Sequence, residues 1–191
     1  PGSAAPRVVA IGVFDGLHIG HRAILERTQR EAAAARHRTL VFTFEPTPKE
    51  FFSPTNPPPR LTRFRERFDL LTQFGIDDLF CPSFRLVRDL TPERFIETLL
   101  VGGLDARHVV IGDDFRFGAK RQGTLADLRA AGARHGFGVS EVAPVFWQGE
   151  RVSSTAIRQA LKIGDLDAAR GMLGRDYSIS GRVVRGLGLG R

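Results

Sequence analysis

The 191-residue sequence contains a single cysteine, Cys81, and only five histidines, at 18, 21, 37, 108 and 135. One cysteine excludes an internal disulfide and any multi-cysteine zinc cluster. The close histidine pair, His18 and His21, has no carboxylate at zinc-ligand spacing, so no protein-bound metal is expected. The sequence also lacks an apolar run near the roughly 20 residues needed to cross a bilayer, and it has no charged-then-apolar leader at its start, which makes the cytoplasm the expected location. Lysine is scarce too. Of the 28 basic residues only Lys49, Lys120 and Lys162 are lysine, and the excess over 21 acidic residues, +7 in net charge, is spread along the chain. A basic block would have suggested nucleic acid; a dispersed excess suits a solvated surface that draws in small anions.

A hydrophobic fraction of 42% with 26% charged residues is ordinary for one globular core. Val8 to Val13 is continuously apolar and predicts a fully buried parallel strand, after which Ile24, Thr28, Ala32 and Ala35 recur at helical spacing. Arg38 to Phe44 is β-branched and aromatic and predicts the next strand, so the chain opens as a right-handed βαβ unit with its ligand site at the carboxyl ends of the strands. Six prolines between Glu45 and Pro59 predict a long loop, in which Phe51 and Phe52 offer apolar surface. Helices are expected over Thr62 to Phe74, from Thr91, from Thr124 with its box partner Asp127, and over Leu166 to Leu173. Short strands are expected at Asp77 to Cys81, Arg107 to Ile111 and Phe137 to Val142. The fold class is therefore α/β, a Rossmann-like doubly wound parallel sheet.

Three stretches carry more chemistry than scaffold requires. Gly12, Gly16 and Gly20 let backbone approach a ligand just where a helix begins, and His18 and His21, three apart, can face one phosphate there, although a plain strand-turn-helix would share the glycines. A second Gly-rich loop, Gly112 to Gly123, mixes two acids, two aromatics and three cations. Arg151-Val-Ser-Ser-Thr-Ala-Ile-Arg158 then sets three hydroxyls before a helix, where one would cap it, with Arg158 a turn later as a further anion ligand.

Gly12-x-Phe14-Asp15-Gly16-x-His18-x-Gly20-His21 resembles the signature that opens the FMN adenylyltransferase module of bacterial bifunctional riboflavin kinase/FAD synthetases, within the HxGH nucleotidylyltransferase superfamily. Phe-x-Phe-Glu-Pro-x-Pro, Gly-x-Asp-Phe-Arg-Phe-Gly and Ser-Ser-Thr-x-Ile-Arg, as they stand here, are similar to further segments of that family. The resemblance implies transfer of AMP from ATP to FMN, giving FAD and pyrophosphate, with Mg²⁺ held by the phosphates. It implies catalysis by His18, His21 and Arg158 and an ATP site made of these with Gly12, Phe14, Asp15, Gly16, Arg151, Ser153, Ser154 and Thr155. Flavin contacts are implied for Pro46, Pro48, Phe52, Asp114 and Phe117, Asp114 as a hydrogen-bonding residue. Residues 1–175 would be the adenylyltransferase domain. Residues 176–191, where β-branched alternation from Tyr177 runs into Gly186-Leu-Gly-Leu-Gly190, look like the truncated start of a riboflavin kinase β-barrel and are expected to be mobile, or ordered only by docking. Alternatives are another HxGH adenylyltransferase, acting on pantetheine phosphate or nicotinate mononucleotide, or a non-catalytic flavin- or RNA-binding protein. The expected partners are small-molecule substrates, with no nucleic acid or membrane.

Overall fold

The structure is a computed structural model that describes residues 5–182 and 184. Five parallel strands, β1 (Arg7–Ile11), β2 (Arg38–Phe42), β3 (Asp78–Phe80), β4 (Ala106–Gly112) and β5 (Gly138–Val142), form one sheet in the order β3-β2-β1-β4-β5. Alternation along β1 divides the core. Val9 and Ile11 point into an apolar layer with Phe42, Phe95, Leu100 and Leu128, whereas Val8 and Ala10 point to the other face, toward Ala32 and Leu25 of helix α1 (Ile19–Ala35). Both faces are thus covered, which is why these strands read as continuous apolar runs. On the α1 face also lies α3 (Phe64–Gln73), through Leu71. The opposite layer is built from α5 (Pro92–Arg94), which runs on as a π-helical stretch over Phe95–Gly103, and from α6 (Leu125–His135).

The chain order reverses beside β1, since β2 lies on one side of it and β4 on the other. A crevice opens outside the carboxyl ends at such a point. The loops that follow β1 and β4 both enter it.

Four local expectations are revised. β1 ends at Ile11 rather than Val13 and β2 at Phe42 rather than Phe44; there the Val13 carbonyl turns aside to accept from Thr43 Oγ1 at 3.1 Å and Arg67 Nη1 at 3.0 Å. The proline-rich segment is not all loop. It holds a short helix, α2 (Pro48–Phe52), because Pro48 occupies a first-turn position that needs no N–H, and Thr47 with Glu50 forms a capping box. A two-stranded hairpin, β6 (Phe146–Trp147) with β7 (Glu150–Arg151), turns through Gln148 and Gly149, both at positive φ. It precedes α7 (Ser154–Ile163) and α8 (Leu166–Leu173), which pack together over Ile157, Ala169 and Met172.

The segment expected to begin a barrel forms no strand among its described residues. Tyr177 instead packs on the α7–α8 cluster, and the Ser180 N–H donates to Glu66 at 3.1 Å. The whole glycine run, Gly186 to Gly190, lies outside the described residues. Another short helix, α4 (Phe84–Val87), sets Phe84 against Phe51 and Phe52, and Arg88 lies over both of those rings.

Candidate active site

A cleft of about 400 Å³ opens at the crevice between β1 and β4, bordered by the starts of α1, α2 and α7 and by the loops after β4 and β5. His18 and His21 form its floor. His18 is the N-cap of α1: its Nδ1 accepts from the His21 N–H at 3.2 Å, so the proton of a neutral ring must sit on Nε2. The two rings stack at 3.6 Å and Phe14 lies under His21 at 5.1 Å. Burial, reinforced by the charge of Arg175, lowers the His18 pKa to about 4, and burial with His18 and Arg67 nearby pushes His21 well below the usual histidine value. Both imidazoles are neutral at pH 7. Each neutral ring keeps one N–H with which to donate a hydrogen bond to a phosphate oxygen.

The turn between β1 and α1 is left-handed at Phe14, Gly16 and Leu17, with φ of 54°, 83° and 41°. Gly16 is required twice over, because a Cβ there would also come within 2.7 Å of Leu61 Cδ1. Asp15 holds the turn from inside. Its buried carboxylate accepts from the N–H groups of Leu61 and Thr62 at 3.1 and 3.0 Å, from Thr62 Oγ1 at 3.2 Å, and from the guanidinium of Arg158. Thr62 Oγ1 in turn accepts from the Gly16 N–H, and Ser154 Oγ donates to the Asp15 carbonyl at 2.9 Å.

At the far wall Ser153 caps α7 by accepting from the Ala156 N–H at 3.1 Å. The three hydroxyls therefore have separate tasks: those of Ser153 and Ser154 are engaged within the protein, and Thr155, which borders the cleft beside them, has its Oγ1 reached by Lys49 Nζ of α2 at 3.5 Å. Arg158 donates to the Pro59 carbonyl at 2.6 Å besides pairing with Asp15. Arg151 pairs with Asp113 at 2.7 Å and lies 3.8 Å from Asp114.

Of the residues expected at the site, Gly12, Asp15, His18, His21, Arg151, Ser153, Ser154, Thr155, Arg158, Pro48 and Asp114 border the cleft. Phe14, Gly16, Pro46, Phe52 and Phe117 do not. Phe14 is buried beneath His21, and Gly16 is enclosed by Leu61. Phe52 is 64% exposed on the outer side of α2, and Phe117 is buried in the core against Phe95 and Phe115. From the same segments Phe115 and Arg116 face the cleft instead. Motif reading also passed over the charges that hold the proline-rich segment in place. Arg60 pairs with both Glu45 and Glu50, and the buried Arg67 reaches Glu45 at 3.0 Å. A sequence signal for this pairing existed only in Glu50, three residues after Thr47, as a capping box; the partners Arg60 and Arg67 lie too far along the chain to be matched by spacing.

The family model described as FAD synthetase matches residues 2–156. The bifunctional riboflavin kinase/FMN adenylyltransferase of Escherichia coli strain K12 is 44% identical over 193 residues, which is 99% of this chain and 62% of that protein. Its counterpart from Pseudomonas fluorescens is 41% identical, over 96% of this chain and 59% of the other. The chain thus spans about three fifths of the length of the curated relatives it matches. A crystal structure described as a macrolide-efflux protein from Streptococcus pneumoniae superimposes with a TM-score of 0.79 at 28% identity, covering 92% of this chain and 57% of that one. A family match over residues 2–156 takes in both Gly-rich loops and the start of α7, and on that ground the chain belongs to the FAD synthetase family.

Proposed function

We propose that this chain joins the AMP part of ATP to FMN, giving FAD and pyrophosphate. The observation that carries the reading is the stacked pair of neutral imidazoles at the start of one long helix, set across a cleft from the start of another. An FMN phosphate oxygen attacks the α-phosphorus of ATP; the new O–P bond forms as the bond from that phosphorus to the bridging oxygen breaks, and the electron pair leaves on pyrophosphate. This chemistry is mostly positioning and neutralisation of charge, and no covalent nucleophile is needed. His18, through Nε2–H, and His21 donate to oxygens around the α-phosphate. The free N–H groups at the start of α1 add a positive dipole end. At the opposite wall Thr155 and Lys49 face the departing phosphates, and Arg158 joins them by exchanging part of its grip on Asp15 and Pro59.

Flavin contacts are assigned to Pro48, Asp114 and Phe115, which border the cleft, in place of Pro46, Phe52 and Phe117. Among the described residues no group of three or more His, Cys, Asp or Glu is placed to hold a metal, and the carboxylates of Asp15 and Asp113 are engaged by arginines. A Mg²⁺ ion would therefore be held by the triphosphate itself and would supply neutralisation of its charge, with no carboxylate of this chain required to hold it. The domain boundary stays near Arg175, with the riboflavin kinase portion of the relatives' names assigned to chain from 176 onward. No helix among the described residues is long and apolar enough to cross a membrane. We place the chain in the cytoplasm, where ATP and FMN would be its partners. The test is to supply ATP and Mg²⁺ with FMN, pantetheine phosphate or nicotinate mononucleotide in turn and separate the products. FAD with pyrophosphate from FMN alone is expected. Adenylylation of another acceptor, or of none, would overturn the assignment.

A further inference from the structure

We propose that Arg175, which lies outside every nucleotide-binding motif, is a positioning residue for adenylyl transfer, acting through its grip on the carbonyls of Gly16 and Leu17 to aim His18 into the cleft. The inference rests on the adenylyltransferase reading given above. Arg175 Nη2 donates to the Gly16 carbonyl at 2.8 Å and Nη1 to the Leu17 carbonyl at 3.3 Å. These are the last two peptide groups before His18. Both residues sit at positive φ, a conformation that Leu17 holds only where surrounding contacts fix it. The inward side of the turn is fixed by Thr62, Leu61 and Ser154. Arg175 fixes the other side.

The approach is built into the chain. Gly174 ends α8 at φ 68°, and a Cβ on it would come within 2.8 Å of Ile19 Cγ2 and 3.0 Å of Arg22 Nη1, so the end of α8 is pressed against the first turn of α1. A guanidinium suits this place because its planar fork can serve two adjacent carbonyls at once, which an ammonium cannot do in the same geometry. Its charge faces His18, as does the ring of His21, while Arg67 acts on His21 from the α3 side and the Asp15 carboxylate is turned away toward Leu61, Thr62 and Arg158. The cation beside Arg175 is Arg22 of α1, no salt bridge to a carboxylate is formed by Arg175 among the described residues, and its charge adds to burial in keeping a proton off His18.

The experiment compares Arg175→Met and Arg175→Lys with the unaltered chain by steady-state kinetics with FMN and ATP, and follows the His18 ring proton by NMR as pH is varied, the signal being assigned by its loss in His18→Ala. A displaced turn is expected to lower kcat about 10–100-fold in Arg175→Met with both KM values within about twofold, since misplacement by an ångström or so costs on that order. Arg175→Lys should fall between, and guanidinium ion added to Arg175→Met should restore part of kcat. His18 should titrate at higher pH in Arg175→Met, which removes the charge, and close to its unaltered position in Arg175→Lys, which keeps it. If Arg175→Met does not fold, Arg175→Lys carries the test by its kcat. A kcat within twofold of the unaltered chain in a folded variant, or an unmoved His18 titration in folded Arg175→Met, would overturn the proposal. Absence of FAD formation by the unaltered chain would instead overturn the functional reading, and the His18 titration would still decide whether Arg175 acts on the turn.

Discussion

Acidification should unfold this protein partly through His18, and the size of the effect follows from its surroundings. The imidazole is buried and its pKa is lowered from 6.5 to about 4, so the folded chain resists a proton that the unfolded chain accepts. A histidine with a depressed pKa contributes stability that is complete above about pH 6.5 and is lost as pH falls from there toward 4, where the folded chain also takes up the proton. Over the whole window the shift amounts to about 3 kcal/mol, at 1.36 kcal/mol per pKa unit. Between pH 7.5 and 5.5 the unfolded histidine goes from mostly neutral to mostly protonated while the folded one stays neutral, a loss of about 1 kcal/mol. His21, shifted in the same direction, adds to the total in the unaltered chain and in a His18 variant alike. His18→Asn isolates the His18 part, because asparagine can still cap α1 by accepting from the His21 N–H but does not titrate. Urea unfolding of both proteins at the two pH values gives the comparison. The unaltered chain should lose about 1 kcal/mol more than His18→Asn, equivalent to roughly 2–4 °C in Tm for a domain of this size. Parallel pH dependences would mean that His18 carries its proton as readily folded as unfolded, and the neutral-pair argument would fail.

His18→Ala and His21→Ala should each lower kcat by about 10²–10³-fold, the usual loss for one preorganised donor at a developing charge, while FMN affinity measured by flavin fluorescence stays within about threefold. Arg158→Lys should raise the KM for ATP about tenfold, since lysine cannot hold Asp15 and the Pro59 carbonyl as one fork and still present a donor to phosphate; an unchanged ATP dependence would restrict Arg158 to the fold. Gly16→Ala combines a left-handed residue with a Cβ set 2.7 Å from Leu61, and a loss of at least about 2 kcal/mol is expected in denaturant midpoint measurements.

The parts of this molecule legible in its sequence are those governed by local rules. Continuous apolar strands, the cap at Thr124 and the hydroxyl run at the start of α7 each depend on neighbours within a few residues; the cap and the hydroxyl run stand where spacing placed them, and β1 and β2 do so but for their last two residues. Distant pairings were illegible. Nothing local ties Arg60 and Arg67 to Glu45, or Arg175 to the turn before His18, because these contacts follow from the order in which strands and helices are layered. Which aromatic borders the cleft was illegible for a related reason. In Asp114-Phe115-Arg116-Phe117 the two phenylalanines are chemically equivalent as text, and only packing against Phe95 decides that Phe117 goes inward while Phe115 borders the cleft. Pro48 was misread as a helix breaker because its effect depends on position: a proline in a helix interior breaks it, but in the first turn it fits.

The turn between β1 and α1 is made early in the chain but is secured by groups that come much later: Arg158 on Asp15, 143 residues on, and Arg175 on Gly16, 159 residues on. At ribosomal rates of about 5–20 residues per second, the wait for the last of these is on the order of ten seconds. Throughout that interval β1 and β2 can pair, yet the histidines have no fixed aim. A nascent or prematurely ended chain therefore has the sheet without the active geometry, and sites for proteolysis or chaperone contact on that turn close only when α8 has been delivered and docked.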